Sequence, residues 1–207
     1  MHTPYYWGTP EADQAIQTAF LAHKAILAES DTIWGLFSPI SAWGAAELDR
    51  LKERRDKPYL VIMDSVESAF EKIILQENGT LPLIKQFWPG PLTILVHARQ
   101  NMLHEARSIE NVIGIRVPAH IPLRACARIY GGLFSTSANI SGQPVPTTFD
   151  EIPASIRTTV GATIYNAPDY HATTEPSTII DCTGTALKII RHGAIAALEL
   201  DPFLYNQ

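Results

Sequence analysis

Four segments of this 207-residue chain carry side chains that could hold an anion or neutralise a phosphate. The densest runs from Arg50 to Pro58, with five cations (Arg50, Lys52, Arg54, Arg55, Lys57) in eight residues. Lysine and arginine at a helix C-terminus offset the helix dipole, which accounts for one or two of them. Five are better explained by a polyanion such as a nucleotide triphosphate. Lys52 and Arg54 stand two apart, so they converge on one ligand only where the helix has ended, and Pro58 helps to end it. A second segment, Gly132 to Gly142, runs from a strand into Thr136, Ser137, Asn139 and Ser141. Hydroxyls and exposed backbone N–H groups bind phosphate or carboxylate oxygens well. They are also ordinary turn punctuation, and composition alone leaves the two readings even.

Glu29 to Leu36 sets two hydroxyls, Ser30 and Thr32, around Asp31 on a turn before Gly35. Taken alone, this segment reads more readily as a surface turn with capping side chains than as a site. In the fourth segment two hydrophobic strands each end on one polar residue. Ser177 and Arg191 are the ligand candidates there, and Asp181 reads as a structural turn residue. Trp88-Pro89-Gly90-Pro91-Leu92-Thr93 is a stiff turn into a strand; its tryptophan reads as packing, and Thr93 as either packing or site. Arg116 sits inside an apolar strand, where alternation points it to solvent or, in a two-sided sheet, to an anionic partner.

These residues need a scaffold. Hydrophobic residues make up 46% and charged residues 18%, enough apolar side chain for a substantial core. The net charge of −5 argues against broad, non-specific nucleic-acid binding. No apolar run reaches the ~18 residues of a membrane span. Met1 to Pro10 lacks the basic and apolar regions of a signal peptide, so a cytoplasmic location is expected. Cys126 and Cys182 read as small buried hydrophobes. There is no Walker loop, no G-x-G-x-x-G after the first strand, no G-x-S-x-G elbow and no H-x-x-x-H pair.

The apolar pattern predicts helices after Thr9-Pro10, after Ser41, from Asp64 or Ser65, from Thr80 to about Trp88, and from Pro122 to the Gly131-Gly132 pair. It predicts strands at 25–28, 59–63, 92–97, 112–117, 133–136, 162–165, 178–182 and 187–191. The expected fold is an α/β domain, with a twisted mixed sheet of about seven strands and helices on both faces. Residues 166–175 read as a mobile loop.

The ordered motifs resemble the YrdC-like family over roughly residues 16–195. They are a P-T-D-T-x-Y-G-L-like turn at 29–36, K-x-R at Lys52 and Arg54, W-P-G-P-L-T, the R-x-P strand end at Arg116, T-S-A-N-x-S-G at 136–142, S-T-x-x-D at 177–181, and R-x-G at 191–193. The resemblance implies a deep cleft and one reaction: threonine, bicarbonate and ATP give threonylcarbamoyl-AMP and pyrophosphate. That makes the chain a nucleotidyltransferase, supplying a separate transferase complex that modifies the adenosine beside a tRNA anticodon. Direct tRNA binding would be weak at most, and no membrane is involved. By the same resemblance Lys52, Arg54, Ser137 and Asn139 form the catalytic constellation. Ser30, Thr32, Arg116, Ser137 and Ser177 hold threonine; Lys52, Arg54, Thr93, Thr136, Asn139 and Arg191 hold ATP. Mg2+ would travel with ATP, without a dedicated protein site. A single domain over 1–207 is expected, without the extra C-terminal domain of longer members.

The chain departs from the family pattern at five places. Glu29 replaces proline, Ser30 replaces threonine, Trp34 replaces tyrosine or phenylalanine, Arg55 replaces proline, and Val145 stands where many members carry a serine. Two rivals remain within the resemblance. One is a structured-RNA-binding paralogue that makes no adenylate. The other is an adenylating enzyme fed by carbamoyl phosphate.

Overall fold

Helix α1 (Pro10–Leu21) starts where the chemistry of its first turn dictates. Thr9 accepts the Ala12 N–H through its hydroxyl, and Pro10 occupies the first turn, where no N–H is needed. Its buried side chains Ala12, Ile16, Ala19 and Phe20 repeat at helical spacing. Helix α2 (Ala42–Lys52) is capped by Ser41 and stops at Glu53, whose backbone turns left-handed. The helix therefore ends directly after Lys52. The structure, a computed structural model, describes residues 4–53, 58–99 and 110–204. Arg54 and Arg55 lie outside the described residues.

The other helices are α3 (Val66–Phe70), α4 (Thr80–Phe87), α5 (Ile121–Tyr130), α6 (Ala154–Arg157) and α7 (Ala197–Leu204). The strands are β1 (Tyr5–Tyr6), β2 (Ile26–Ala28), β3 (Gly35–Pro39), β4 (Leu60–Ile62), β5 (Ile73–Ile74), β6 (Leu92–Ala98), β7 (Val112–Arg116), β8 (Leu133–Ser137), β9 (Ala162–Tyr165), β10 (Thr178–Asp181) and β11 (Lys188–Arg191). They form one mixed sheet in the order β1-β9-β2-β3-β8-β4-β7-β6-β10-β11, with β5 beside β6. The α/β class and mixed sheet agree with the sequence reading, but the described residues hold eleven strands rather than about seven. Of the three strands that fall outside the predicted ranges, two, β1 and β5, are two residues long and too short to show a period. The third, β3, opens on glycine and ends on proline, residues that disguise a strand.

Each face of this sheet is covered differently. On one face Leu36, Val61, Ile94, Ile115, Phe134 and Ile180 join a core with side chains of α2, α3, α4, α6 and α7. On the other, α1 and α5 pack over Ile26, Phe37, Ile62, Leu133 and Ile164. Those two helices reach only the β9-β2-β3-β8 half of the sheet and the near edge of β4. Among the described residues no helix packs on the rest of the second face, toward β7, β6 and β10. In-and-out alternation then puts Gly114 and Arg116, Thr93 and Leu95, and Ser135 and Ser137 on that open face.

Residues 166–175 are less loose than the sequence implies. Asn166 is buried, and the Thr173 N–H bonds the Asp31 carbonyl at 3.1 Å. Both cysteines are free and buried, and burial pushes each thiol up to about 12. At pH 8 roughly one thiol in ten thousand is then thiolate. Iodoacetamide at that pH should leave Cys126 and Cys182 unmodified in the folded chain and label both in urea. Rapid labelling of the folded chain, read by intact mass, would contradict this burial.

Candidate active site

The open part of the sheet is the floor of a cleft of about 420 Å³. Ser30, Thr32, Lys52, Thr93, Arg116, Thr136, Ser137, Asn139, Ser177 and Arg191 all line it. Every site residue singled out from the sequence is therefore on one surface, except Arg54, which lies outside the described residues. Among the described residues the lining includes three cations and no carboxylate. Such a surface attracts anions.

One wall is the end of α2. The Lys52 ammonium is buried and donates to the Ser137 carbonyl at 2.7 Å and to Asn139 Oδ1 at 2.8 Å. Ser137 Oγ donates to the same Asn139 oxygen at 2.6 Å, and Asn139 Nδ2 donates to the Gln143 carbonyl at 2.6 Å. These partners fix which way the amide points. The Ser141 N–H closes the wall by bonding the Lys52 carbonyl at 3.0 Å. Tyr59 donates its hydroxyl to Asp49 at 2.6 Å, tying the following strand back to α2. The sequence separation is 85 to 87 residues, so only the tertiary fold brings Lys52 to the Ser137–Asn139 turn.

The opposite wall is built around Arg116, which is 4% exposed. Its Nε donates to the Gly90 carbonyl at 2.9 Å and its Nη1 to Thr32 Oγ1 at 3.0 Å. Its Nη2 stands 2.8 Å from Asp31 Oδ2 without a hydrogen-bond alignment, so that contact is chiefly Coulombic. Burial lowers the arginine below its ordinary pKa, and Asp31 opposes the shift. Asp31 Oδ2 also accepts the Ala119 N–H at 2.8 Å.

The hydroxyls divide by polarity. Ser30 donates to the Ile33 carbonyl at 2.9 Å and accepts the Thr32 N–H at 3.1 Å. Its proton is committed, so toward a ligand it can only accept. Ser137 has likewise given its proton to Asn139. Thr32, which accepts from Arg116, keeps a proton to share between Ser30 and a ligand. Thr93 and Ser177 bond each other at 2.8 Å. Arg191 donates to the Ser177 carbonyl at 2.7 Å and to its hydroxyl at 3.2 Å. Arg191 is exposed along the cleft, yet protein crowded against the guanidinium, and then the Arg116 charge, lower its pKa. Gly193 lets this corner close, since a Cβ there would stand 2.2 Å from the Pro176 carbonyl.

Some residues of the site escaped the sequence reading. His120 and Asn166 are buried side by side, with His120 Nε2 2.8 Å from Asn166 Oδ1. The signal for His120 was its place two residues before Pro122, where a side chain can cap a helix. Two departures from the family pattern have structural partners. Glu29 Oε2 accepts the Asn166 N–H at 2.6 Å, and Trp34 packs on Phe149 and Tyr165. Val145 lines a separate hollow of about 660 Å³ that shares Asn139 with the cleft. Asp181 accepts from Thr183 and is the turn residue expected.

The described residues thus form an α/β protein whose mixed sheet carries a cleft lined by cations and hydroxyls. The chain belongs to the Sua5/YciO/YrdC family: the family model, described as "Telomere recombination", matches residues 19–193. Threonylcarbamoyl-AMP synthase of Idiomarina loihiensis is 29% identical over 148 residues, 68% of this chain and 76% of that protein. The fold is shared with P. abyssi Sua5 complexed with L-threonine, at a TM-score of 0.82 and 22% identity, covering 98% of this chain. This chain spans 60% of that protein's length. E. coli YciO superposes at a TM-score of 0.78 with 20% identity, covering 99% of this chain and 100% of YciO.

The histidine behind the wall gives the site a pH signature. Burial lowers the His120 pKa below 6.5; the Asn166 hydrogen bond and Asp31 pull it up, and Arg116 pushes it down. The unfolded chain then takes up the proton more readily than the fold. The stability contributed by neutral His120 is present above 6.5 and is lost as pH falls through the lowered folded value. The urea midpoint should drop between about pH 7.5 and about pH 5. His120→Asn should flatten that drop, and an unchanged slope in the variant would contradict it.

Proposed function

We propose that this chain makes threonylcarbamoyl-AMP from L-threonine, bicarbonate and ATP, releasing pyrophosphate. The observation that carries the reading is the cleft itself, with three cations, paired hydroxyls and no carboxylate among the described residues that line it. The named activity of the Idiomarina relative and the threonine bound to P. abyssi Sua5 support it. An amino acid offers a carboxylate and an amine. Thr32 and Arg116 form the donor side of the cleft, suited to the carboxylate, and Ser30 is an acceptor suited to the amine or the side-chain hydroxyl.

In the proposed reaction the amine takes up carbon from bicarbonate, loses water, and becomes a carbamate. A carbamate oxygen attacks the α-phosphorus of ATP, and the bond to the β-phosphate oxygen breaks to release pyrophosphate. The chain's part is positioning and charge neutralisation rather than covalent chemistry. Lys52, fixed by Ser137 and Asn139, would face the phosphates on one side, and Arg191 with Thr93 on the other. Arg54 and Thr136 are assigned to the same ATP. Magnesium would arrive on the phosphates, with phosphate and water oxygens as its ligands. The described residues that line the cleft offer it hydroxyls rather than carboxylates. The product would pass to a transferase that acts on tRNA.

Pyrophosphate release, measured with threonine, bicarbonate and ATP omitted in turn, tests the reading. Release should require all three. Release with carbamoyl phosphate in place of threonine and bicarbonate, or no release beside tight RNA binding, would overturn it. Lys52→Ala should slow turnover by a factor of a hundred or more, since a lost charge clamp in a dry site costs ~3 kcal/mol or more. Normal turnover in that variant would remove Lys52 from the site. Ser30→Ala should raise the threonine requirement by ~1 kcal/mol, about fivefold, and an unchanged titration would count against its role. If Val145 borders the ATP, Val145→Ser should tighten ATP binding or leave it unchanged; a marked loss would place ATP elsewhere.

A further inference from the structure

The loop from Glu29 to Trp34 joins β2 to β3 and carries Ser30 and Thr32. Within it, Ser30 Oγ bonds the Ile33 carbonyl and the Thr32 N–H. Its attachment to the rest of the fold comes from outside. Asn166 Nδ2 donates to the Ser30 carbonyl at 3.0 Å, and the Asn166 N–H to Glu29 Oε2 at 2.6 Å. Asn166 in turn meets His120, which is 1% exposed. His120 Nδ1 accepts the Leu123 N–H at 3.0 Å and caps α5. The imidazole's one proton therefore sits on Nε2 and is donated to Asn166 Oδ1. That leaves Asn166 Nδ2 for Ser30. Trp7 and Tyr170 pack against the imidazole, with ring centroids at 5.6 and 4.8 Å, which holds it in this orientation.

We propose that His120 and Asn166 are positioning residues, a two-link relay through which the start of α5 sets the Ser30–Thr32 turn in its binding geometry. Neither lines the cleft. The neighbouring Ala119 N–H holds Asp31 of the same turn at 2.8 Å, so residues 119 and 120 grip it at two points. Displacing position 120 would move the Ser30 and Thr32 hydroxyls together relative to Arg116. Only the ligand named here, threonine, rests on the proposed function.

The two jobs of His120 can be separated. Asparagine at 120 places Oδ1 near the position of Nδ1, a favoured helix cap, but is too short to reach Asn166. Glutamine reaches Asn166 but is a poor cap. In His120→Asn at about pH 8, the exchange protection of the first α5 amides, relative to that variant's own global stability, should match the wild type. The Thr32 amide should exchange roughly tenfold faster, and L-threonine should bind roughly tenfold more weakly by calorimetry. His120→Gln should reverse the pattern, losing protection of the first α5 amides while keeping Thr32 protection and threonine binding. In an Asn166→Ala background, His120→Asn should add no further loss at Thr32, because the relay is already cut. Unchanged Thr32 exchange in His120→Asn, or fully additive losses, would overturn the relay. If Thr32 responds as expected but the wild type binds no threonine, the relay stands and the proposed ligand falls.

Discussion

A guanidinium in the face of a sheet is the constraint around which this structure is organised. Taking a charge out of water costs several kcal/mol after relaxation, so Arg116 cannot be buried alone. Its contacts come from two separate parts of the chain: the Gly90 carbonyl from the turn before β6, and Thr32 with the adjacent Asp31 from the loop after β2. Satisfying one arginine therefore fixes two loops on either side of β7. Asp31 is also held by the Ala119 N–H, which extends the same lock to the entrance of α5. What remains of the donor capacity near Arg116 and Thr32 faces the cleft.

The second wall obeys the same rule with a different cation. Lys52 is buried against a carbonyl and an amide oxygen. This partnership requires α2 to end at Glu53 and the chain after β8 to fold back on it. The backbone bond from Ser141 to the Lys52 carbonyl adds a second tie between the same two segments. The Lys52 wall thus uses neutral acceptors that leave its charge in place, whereas the Arg116 charge is balanced in part by Asp31. Asp31 sits behind the wall and is not among the described residues that line the cleft. A cleft built this way keeps its attraction for carboxylates and phosphates.

The cleft owes its existence to an imbalance in how the sheet is covered. Helices α2, α3, α4, α6 and α7 contribute to one core, whereas α1 and α5 cover only part of the opposite face. On the cleft side the polar Thr93, Ser135 and Ser137 alternate with the core residues Ile94 and Phe134 along β6 and β8, and the buried Thr93 hydroxyl is satisfied by Ser177. The departures from the family pattern fit this frame. Glu29 gains a backbone donor from Asn166, and Trp34 gains an aromatic cluster with Phe149 and Tyr165.

The sequence by itself determined the local elements and the chemistry on offer. Thr9-Pro10, Ser41, Ser65 and Gly131 mark helix ends because capping is satisfied by neighbours a few residues away. The ordered motifs located the site residues because each motif is a contiguous string. Strands β1 and β5 were not legible, since two residues carry no period, and β3 was hidden by its glycine and proline. The pairings were decided only by the tertiary structure. Lys52 with Asn139, Arg116 with Asp31, and His120 with Asn166 and Ser30 are separated by 87, 85, 46 and 136 residues where those spans join hydrogen-bonded or charged atoms. A sequence specifies that a buried charge or imidazole needs partners. Which partners it meets depends on strand order, and strand order is set by packing across the whole sheet.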